Sequence, residues 1–266
     1  MLTKTKKFMK PKSSRHVAQA FTFILLLLIP IIMKAQTTAA SKNVVIVHGA
    51  FADGSGWDAV FKLLKVKGYN VTVVQNPLTS LEDDVEATNR ALDKQTGNVI
   101  LVGHSWGGAV ITQAGVHPKV SSLVYVAAFV PNMGQSALDL IKTGPPAPEN
   151  GILPPDEKGF VYYDKVKFQA GFAADVPKDK ADFMFASQGP IAAKCFVTPL
   201  TQIAWKTKPS FGIVATEDKS INPDIEREMY KNAKSKVTEI KGSHAIYISN
   251  PKAVAEVIEL AAMASN

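Results

Sequence analysis

The chain has 266 residues, of which 46% are apolar and 20% are charged. This balance is typical of one large or two small globular domains and excludes a disordered, collagenous or coiled-coil chain. A single cysteine, Cys195, excludes an internal disulfide and a cysteine-based zinc site, and we expect it to be a buried free thiol. The formal net charge of +7 points to a nucleic-acid or membrane partner only if it is spread over the whole chain.

Positive charge is concentrated at the amino end. Residues 1–35 contain seven Lys or Arg and no Asp or Glu. Within this segment, an apolar run of about 13 residues extends from Phe21 to Met33. It is shorter than the roughly 20 residues needed to span a bilayer. This order is typical of a signal peptide, and we expect cleavage after Ala35, with an uncleaved amphiphilic anchor as the alternative.

Without residues 1–35 the chain carries equal numbers of basic and acidic residues. The mature domain then lacks the excess positive charge on which phosphate contacts depend. We therefore expect no nucleic-acid partner and, for the mature form, no membrane partner. The signal peptide predicts export to the periplasm or the extracellular space.

Apolar runs and helical segments alternate along the rest of the chain. Strands are predicted at 43–48, 69–74, 98–103, 123–128, 211–215 and 237–240, and helices at 57–67, 80–95, 107–115, 223–232 and 251–263. This order predicts an α/β fold with a six-stranded parallel sheet flanked by helices.

The alternation fails between residues 131 and 209. Prolines interrupt the chain, and aromatic residues then cluster at Phe160, Tyr162, Tyr163, Phe168, Phe172, Phe183 and Phe185. We expect an α/β core formed by 36–130 and 210–266, with 131–209 inserted between the fourth and fifth strands. The aromatic residues predict an apolar pocket above the site.

A G-x-S-x-G motif, Gly103-His104-Ser105-Trp106-Gly107, lies between a predicted strand and a predicted helix. In this context the serine sits on a sharp strand-to-helix turn, where side chains at the flanking positions would collide. The helix N-terminus behind it favours developing negative charge. Ser105 is the predicted nucleophile; the alternative is that it only caps the helix.

A serine hydroxyl needs a base to take its proton. Of the five histidines, His244 follows the last strand in a flexible loop, Lys241-Gly242-Ser243-His244, and is the predicted base. The others are interpreted differently: His16 lies in the signal peptide, His48 ends the first strand, His104 points away from Ser105, and His117 caps the helix after the motif.

The base needs a carboxylate that fixes its tautomer and stabilises the imidazolium. Glu217 and Asp218 both follow the fifth strand, and Asp218 lies further into a loop that ends in a turn. We predict Asp218, with Glu217 as the alternative and a carboxylate after the fourth strand, such as Asp139, as a third possibility. The chain order Ser, Asp, His is that of α/β-hydrolases.

The turn His48-Gly49-Ala50 stands at the end of the first strand. In this architecture such a turn supplies one backbone N–H of the oxyanion hole, and the residue after the nucleophile supplies the other. We assign Ala50 and Trp106, with Phe51 as the alternative to Ala50.

The sequence lacks the usual motifs for binding a phosphate-containing cofactor or a metal. The segment Gly54-Ser55-Gly56 is not followed by Lys and Ser or Thr, so it is not a phosphate-binding loop. Clusters of His, Asp and Glu with metal-ligand spacing are also missing from the sequence. We expect neither a cofactor nor a metal.

The serine motif, the His48 turn and the His244 loop together resemble the α/β-hydrolase superfamily. Segments 48–51 with Trp57, 78–84 and 103–108 are similar to a small esterase branch that includes plant methylesterases, hydroxynitrile lyases and bacterial exported α/β hydrolases. The resemblance implies a small cap between the fourth and fifth strands and a cofactor-free Ser-Asp-His mechanism. Gly49 and Ala245 stand where hydroxynitrile lyases usually have Thr and Lys, which argues against cyanohydrin cleavage.

These features predict a serine hydrolase, foremost a carboxylesterase that acts on a small apolar ester through an acyl-enzyme. The alternatives are a cofactor-free perhydrolase or C–C hydrolase using the same triad, and a ligand receptor that hydrolyses weakly. The predicted partner is a small-molecule ester.

Overall fold

The computed structural model describes residues 1–5 and 41–264. The predicted signal peptide lies outside this part of the chain except for its first five residues, and so does the cleavage point after Ala35. Among the described residues, no helix combines the length and apolar character needed to cross a membrane.

Six parallel strands form the central sheet, as the sequence predicts. They are β1 (Asn43–Val47), β2 (Asn70–Val74), β3 (Val99–His104), β4 (Val120–Val126), β7 (Ser210–Ala215) and β8 (Lys236–Ile240), in the order β2-β1-β3-β4-β7-β8. The two strands at the centre, β3 and β4, are buried almost throughout, which is why they appear in the sequence as apolar runs.

The register of the sheet places the carboxyl ends of β1, β3 and β4 side by side. Val47 of β1 lies opposite Gly103 of β3, and His104 of β3 lies opposite Val126 of β4. Loops that leave the carboxyl ends of parallel strands meet at one edge of the sheet. The turn after β1 and the serine motif after β3 are therefore neighbours.

Helices flank the sheet. They are α1 (Asp58–Val66), α2 (Leu81–Asp93), α3 (Trp106–Ala114), α8 (Pro223–Asn232), α9 (Ile246–Ser249) and α10 (Pro251–Met263), and a 3-10 turn (Gly54–Trp57) precedes α1. Ser80 caps α2, since its hydroxyl accepts from the Asp83 N–H at 3.0 Å. Proline occupies the first turn of α8 and α10, where its missing N–H costs no helical hydrogen bond.

The segment between β4 and β7 carries short elements: α4 (Ala137–Ile141), β5 (Phe160–Val161), α5 (Phe168–Phe172), α6 (Lys178–Ser187), β6 (Ile191–Ala192) and α7 (Ala193–Val197), followed by a 3-10 turn (Ala204–Lys206). Strands β5 and β6 form an antiparallel pair. Backbone hydrogen bonds tie the segment to the core, including Ala192 N–H to the Leu78 carbonyl at 2.9 Å. The boundaries 131 and 209 stay predictions.

The start of β4 differs from the prediction. The strand begins at Val120 rather than residue 123. Two serines interrupt the apolar run, yet Ser122 is fully buried and the Ser121 hydroxyl donates to the Val99 carbonyl at 3.1 Å. Tertiary contacts thus extend the strand beyond its apolar residues.

Candidate active site

Ser105 lies at the turn from β3 into α3. Its backbone has φ 51° and ψ −120°, a conformation that L residues with a side chain rarely adopt. Neighbouring backbones come very close: a Cβ on Gly107 would lie 2.5 Å from the Val47 carbonyl oxygen, and a Cβ on Gly49 would lie 2.7 Å from the Ser105 Cβ. The glycines of the motif and of the His48 turn are therefore required by this packing.

The structure brings the three predicted catalytic side chains together. The Ser105 hydroxyl lies 2.9 Å from His244 Nε2, and His244 Nδ1 lies 2.5 Å from Asp218 Oδ2. His244 and Asp218 are almost completely buried, at 1% and 3% exposure. A carboxylate can only accept, so Nδ1–H donates to Asp218 and Nε2 is free to accept the serine proton.

In the part of the chain that the structure describes, neither alternative acid bonds to His244. The Glu217 carboxylate faces solvent and lies 3.5 Å from Lys241 Nζ. Asp139 forms a capping box with Ser136 at the start of α4, where its carboxylate accepts the Ser136 N–H at 2.9 Å. The geometry therefore favours Asp218.

The predicted oxyanion-hole donors flank the serine. Trp106 is the first residue of α3, so its N–H has no partner within the helix. Ala50 lies in the turn after β1 and lines the same cavity as Ser105. Within the described residues, neither backbone N–H meets an acceptor. Phe51 also lines the cavity, so the structure leaves it open as the alternative to Ala50.

A cavity of about 200 Å³ opens above Ser105 and His244. Its wall is mostly apolar and comes from the turn after β1, the segment between β4 and β7, the loop after β7 and the start of α8; it includes Phe51, Phe129, Leu138, Ile141, Tyr163, Phe172, Phe196 and Ile225. Among the described residues, this lining contains no Asp, Glu, Lys or Arg, and His244 is its one histidine. The cavity suits an uncharged ligand.

The aromatic cluster contributes less to this wall than predicted. Only Tyr163 and Phe172 of its seven members line the cavity. Phe168 and Phe185 lie beside a separate surface groove, and Phe183 is 63% exposed. The cavity instead gains Phe51 and Phe129 from core loops, because the short helices of the segment turn part of the cluster away from the serine.

The remaining described histidines have structural contacts. His48 Nδ1–H donates to the Gly49 carbonyl at 2.9 Å, and Nε2 accepts the Asn76 N–H at 2.9 Å, so the ring is neutral and holds the turn. Burial lowers its pKa. The interpretation of His117 as a helix cap is wrong: its ring bonds to the Asp93 carboxylate at 3.1 Å and to the Lys119 N–H at 3.2 Å.

His104 points away from Ser105, as expected, but it contacts the loop of the predicted base. Its Nε2–H donates to the His244 carbonyl at 3.0 Å. Burial and the neighbouring His244 ring hold the pKa of His104 well below its usual range, so it stays neutral. This side chain links β3 to the loop after β8.

Asp84 is a buried acid that sequence reasoning placed only in the first turn of α2. Its Oδ2 accepts the Trp106 indole N–H at 2.8 Å and its Oδ1 accepts the Leu78 N–H at 2.7 Å. Burial raises the pKa of Asp84 to about 6, against the opposing effect of these two hydrogen bonds. Asp84 thereby fixes the side chain of a predicted oxyanion-hole residue.

The loop that carries His244 is held by α5 and the residues after it. The Ala245 N–H donates to the Phe172 carbonyl at 3.0 Å, and the Phe172 ring meets the His244 ring edge to face at 4.8 Å. Asp175 accepts from the Ser243 N–H at 3.0 Å and from its hydroxyl. The segment between β4 and β7 therefore positions the predicted base as well as lining the cavity.

The part of the chain that the structure describes contains no group of three or more His, Cys, Asp or Glu side chains arranged to hold a metal. That the reaction needs no cofactor stays a prediction. Cys195 is buried and unpaired with another cysteine, and burial raises the pKa of its thiol to about 12. It is therefore a structural thiol, as expected.

Comparison with known proteins gives the family. The family model described as "Alpha/beta hydrolase family" matches residues 44–257. The chain is 27% identical to a pyrethroid hydrolase of Sphingobium wenxiniae, over 81% of this chain and 86% of that protein. It is 26% identical to a putative chloroplastic methylesterase 11 of Arabidopsis thaliana, over 82% of this chain and 63% of that longer protein.

A crystal structure of a pyrethroid hydrolase from Sphingobium faniae superimposes with a TM-score of 0.72 at 26% identity, covering 84% of this chain and 98% of that one. The chain belongs to the alpha/beta hydrolase family.

Proposed function

We propose that this hydrolase is a serine carboxylesterase that cleaves a small, uncharged, apolar ester. The observation that carries the proposal is the continuous hydrogen-bonded path from Ser105 through His244 to Asp218 at the base of an apolar cavity. The names of the relatives, a pyrethroid hydrolase and a methylesterase, support ester chemistry for this family branch.

The first half-reaction follows from this geometry. The Ser105 oxygen attacks the ester carbonyl carbon while His244 Nε2 takes the hydroxyl proton, and Asp218 stabilises the imidazolium that forms. The carbonyl oxygen becomes an anion that the Ala50 and Trp106 N–H groups face. Collapse of this intermediate breaks the ester C–O bond, and the imidazolium gives its proton to the departing alcohol.

The second half-reaction releases the acid. Water occupies the place of the alcohol and loses a proton to His244 as it attacks the acyl-enzyme carbonyl. The new tetrahedral intermediate expels the Ser105 oxygen, which regains the proton from His244. The carboxylic acid product leaves, and the resting hydrogen bonds re-form.

Cavity size and lining support the substrate class. About 200 Å³ is below the roughly 300–1,000 Å³ of sites for drug-sized ligands. Two side-chain amides line the cavity. Asn150 is paired at both ends, since it donates to the Ser220 carbonyl at 3.2 Å and accepts the Ile152 N–H at 3.0 Å, and the Asn222 oxygen accepts the Asp224 N–H at 2.9 Å. The largely apolar wall makes apolar contact the main source of substrate binding, and the small volume limits the acyl and alcohol groups to short ones.

A fluorophosphonate probe tests the mechanism, and a series of p-nitrophenyl esters of increasing acyl length tests the substrate class. We expect labelling at Ser105 alone and the highest kcat/KM on short acyl chains. Labelling without turnover of any ester would contradict the esterase and favour a weakly hydrolytic receptor. Turnover that requires hydrogen peroxide or a C–C substrate would favour the alternative reactions of the same triad.

A further inference from the structure

Glu226 is a buried carboxyl that none of the steps above uses. It lies on α8 and is fully shielded from solvent. Its neighbour along the helix, Arg227, cannot neutralise it, because that guanidinium bonds to Glu239 at 2.8 Å and to Asp224 at 2.7 Å on the protein surface. A buried carboxyl without a cation is costly if it is ionised.

Few donors surround the Glu226 carboxyl. Its Oε2 accepts the Ala215 N–H at 3.2 Å, and its Oε1 meets no donor among the described residues. Tyr230, one turn further along α8, is already committed: its hydroxyl accepts the Ala128 N–H at 2.8 Å and donates to the Ile213 carbonyl at 3.4 Å. Asp218 bonds to the same residue as Glu226, since its backbone N–H donates to the Ala215 carbonyl at 3.1 Å. Its side chain is the neighbouring group that interacts with the Glu226 carboxyl through a hydrogen bond and through charge.

Two carboxyl groups can share a hydrogen bond only if one of them keeps its proton. Asp218 accepts three N–H donors: Ser220 at 2.7 Å, Ile221 at 2.9 Å and His244 at 2.5 Å. Glu226 accepts one backbone N–H. The negative charge therefore belongs on Asp218 and the proton on Glu226.

We propose that Glu226 is a positioning residue whose protonated carboxyl donates a hydrogen bond to the Asp218 carboxylate and holds it toward His244. The inference rests on the proposed function, since it assigns Asp218 to the triad. Burial, reinforced by the Asp218 charge, raises the pKa of Glu226 well above its usual range. Glu226 thus supports the triad acid without touching the substrate.

Two variants separate donation from packing. Glu226→Gln keeps the shape and can donate an amide N–H, whereas Glu226→Met fills similar space and cannot donate. We expect kcat of Glu226→Gln to stay near wild type at pH 7, and kcat of Glu226→Met to fall about 10- to 100-fold with little change in KM. Equal kcat values for both variants and wild type overturn the positioning role.

Proton linkage gives a readout that does not depend on activity. A protonated Glu226 releases its proton when the chain unfolds, so its stabilising effect is complete below its unfolded pKa and declines as pH rises toward its folded pKa. From pH 5 to pH 8, the unfolding equilibrium constant of wild type relative to Glu226→Gln should rise by up to about tenfold per pH unit. A constant ratio in urea titrations means that Glu226 is ionised in the native state and overturns the proposal.

The two experiments also separate this inference from the esterase proposal. If wild type cleaves no ester, the proposed function fails, while the urea titrations still decide where the proton lies. If wild type is an esterase and Glu226→Met keeps full kcat, the function stands and the role of Glu226 is overturned. A loss of kcat in Glu226→Met counts as support only when its circular dichroism spectrum matches that of wild type.

Discussion

In the proposed mechanism, the Ser105 hydroxyl becomes a strong nucleophile only when His244 takes its proton. We expect Ser105→Ala and His244→Ala each to lower kcat by about 10⁴-fold or more, and the double variant to be little worse, because these residues act as a unit. Turnover of a chromogenic ester measures the effect. His117→Ala serves as the control, because His117 lies beyond the far end of α3 and bonds to Asp93. Esterase activity near wild type in either single variant would contradict the triad.

Asp218 and Glu217 are adjacent, but only Asp218 reaches the His244 ring. Asp218→Asn should lower kcat by about 10⁴-fold, because the amide can hold the imidazole in the wrong tautomer. Glu217→Gln removes only a solvent-exposed carboxylate and should leave kcat unchanged within about twofold. The reverse pattern on one chromogenic ester would place the triad acid one residue earlier.

Asp84 gives the free energy of unfolding a pH dependence of definite sign. Burial raises its pKa to about 6 in the folded state. Protonated Asp84 therefore stabilises the fold fully at pH values below the ordinary pKa of an aspartate, and this stabilisation is lost as pH rises through about 6. When pH rises from 4 to 7, the free energy of unfolding of Asp84→Asn should increase by about 2 kcal/mol relative to that of wild type. Urea unfolding at the two pH values measures this difference.

Asp83→Asn is the matched control, since its exposed carboxylate accepts from the Thr79 hydroxyl at 2.6 Å. It should show no gain with rising pH. Asp84→Asn should also lower kcat, because the amide nitrogen that replaces one carboxylate oxygen cannot accept the N–H of Trp106 or Leu78 that faces it. A pH-independent difference for Asp84→Asn would mean that Asp84 is ionised at pH 4 in the folded protein.

Sequence patterns identified the three side chains that the structure brings together, but they missed the buried acids that support them. Ser105, His244 and Asp218 follow strands, and the carboxyl ends of parallel strands meet at one edge of the sheet. Asp84 and Glu226, by contrast, lie in first turns of helices, where an acid is expected to face solvent and interact with the helix dipole. Their burial depends on helix rotation against the sheet, which local sequence does not encode.

At the scale of elements, the crossing of β1 and α3 fixes the serine turn. Gly107→Ala would place a Cβ 2.5 Å from the Val47 carbonyl oxygen, and neither backbone can yield. We expect a loss of about 2–3 kcal/mol in free energy of unfolding, measured by urea denaturation. Gly189→Ala is the control, because its Cβ would meet no heavy atom within 4 Å. If Gly107→Ala leaves the free energy of unfolding unchanged, β1 and α3 pack less closely than described.

Helices with clear start signals were predicted accurately. Pro223 and Pro251 begin α8 and α10, and Ser80 caps α2, as the sequence indicates. The short helices between β4 and β7 were missed, as was α9. Tertiary contacts hold some of them, such as the bond from Ala245 at the start of α9 to Phe172 of α5. The α4 helix has a local start signal, the capping box of Ser136 and Asp139, but its 5 residues are too few to show a hydrophobic period.

At the scale of the whole molecule, the site is assembled from distant segments. The turn after β1, the predicted nucleophile after β3, the predicted acid after β7 and the predicted base after β8 converge because the sheet is parallel and its loops share one edge. The segment after β4 closes over them and also holds the His244 loop. Its removal should therefore disturb the base as well as the cavity.

The charge distribution leads to a prediction for the intact protein. The full chain has a net charge of +7 and an isoelectric point near 9.3, but all of the excess positive charge lies in residues 1–35. If this segment is a signal peptide, the mature protein has equal numbers of basic and acidic residues. We propose that it begins near Gln36, is exported, and focuses near neutral pH.

N-terminal mass analysis and isoelectric focusing of the protein from its native host measure both consequences. Leu26→Arg is the control, because a charge within the apolar run prevents its recognition as a signal peptide and should leave a basic, full-length chain inside the cell. Wild-type protein that keeps residues 1–35 and remains in the cytoplasmic fraction would contradict export. Full-length protein in the membrane fraction would instead favour the amphiphilic anchor, since an uncleaved apolar run of about 13 residues can bind a bilayer surface without spanning it.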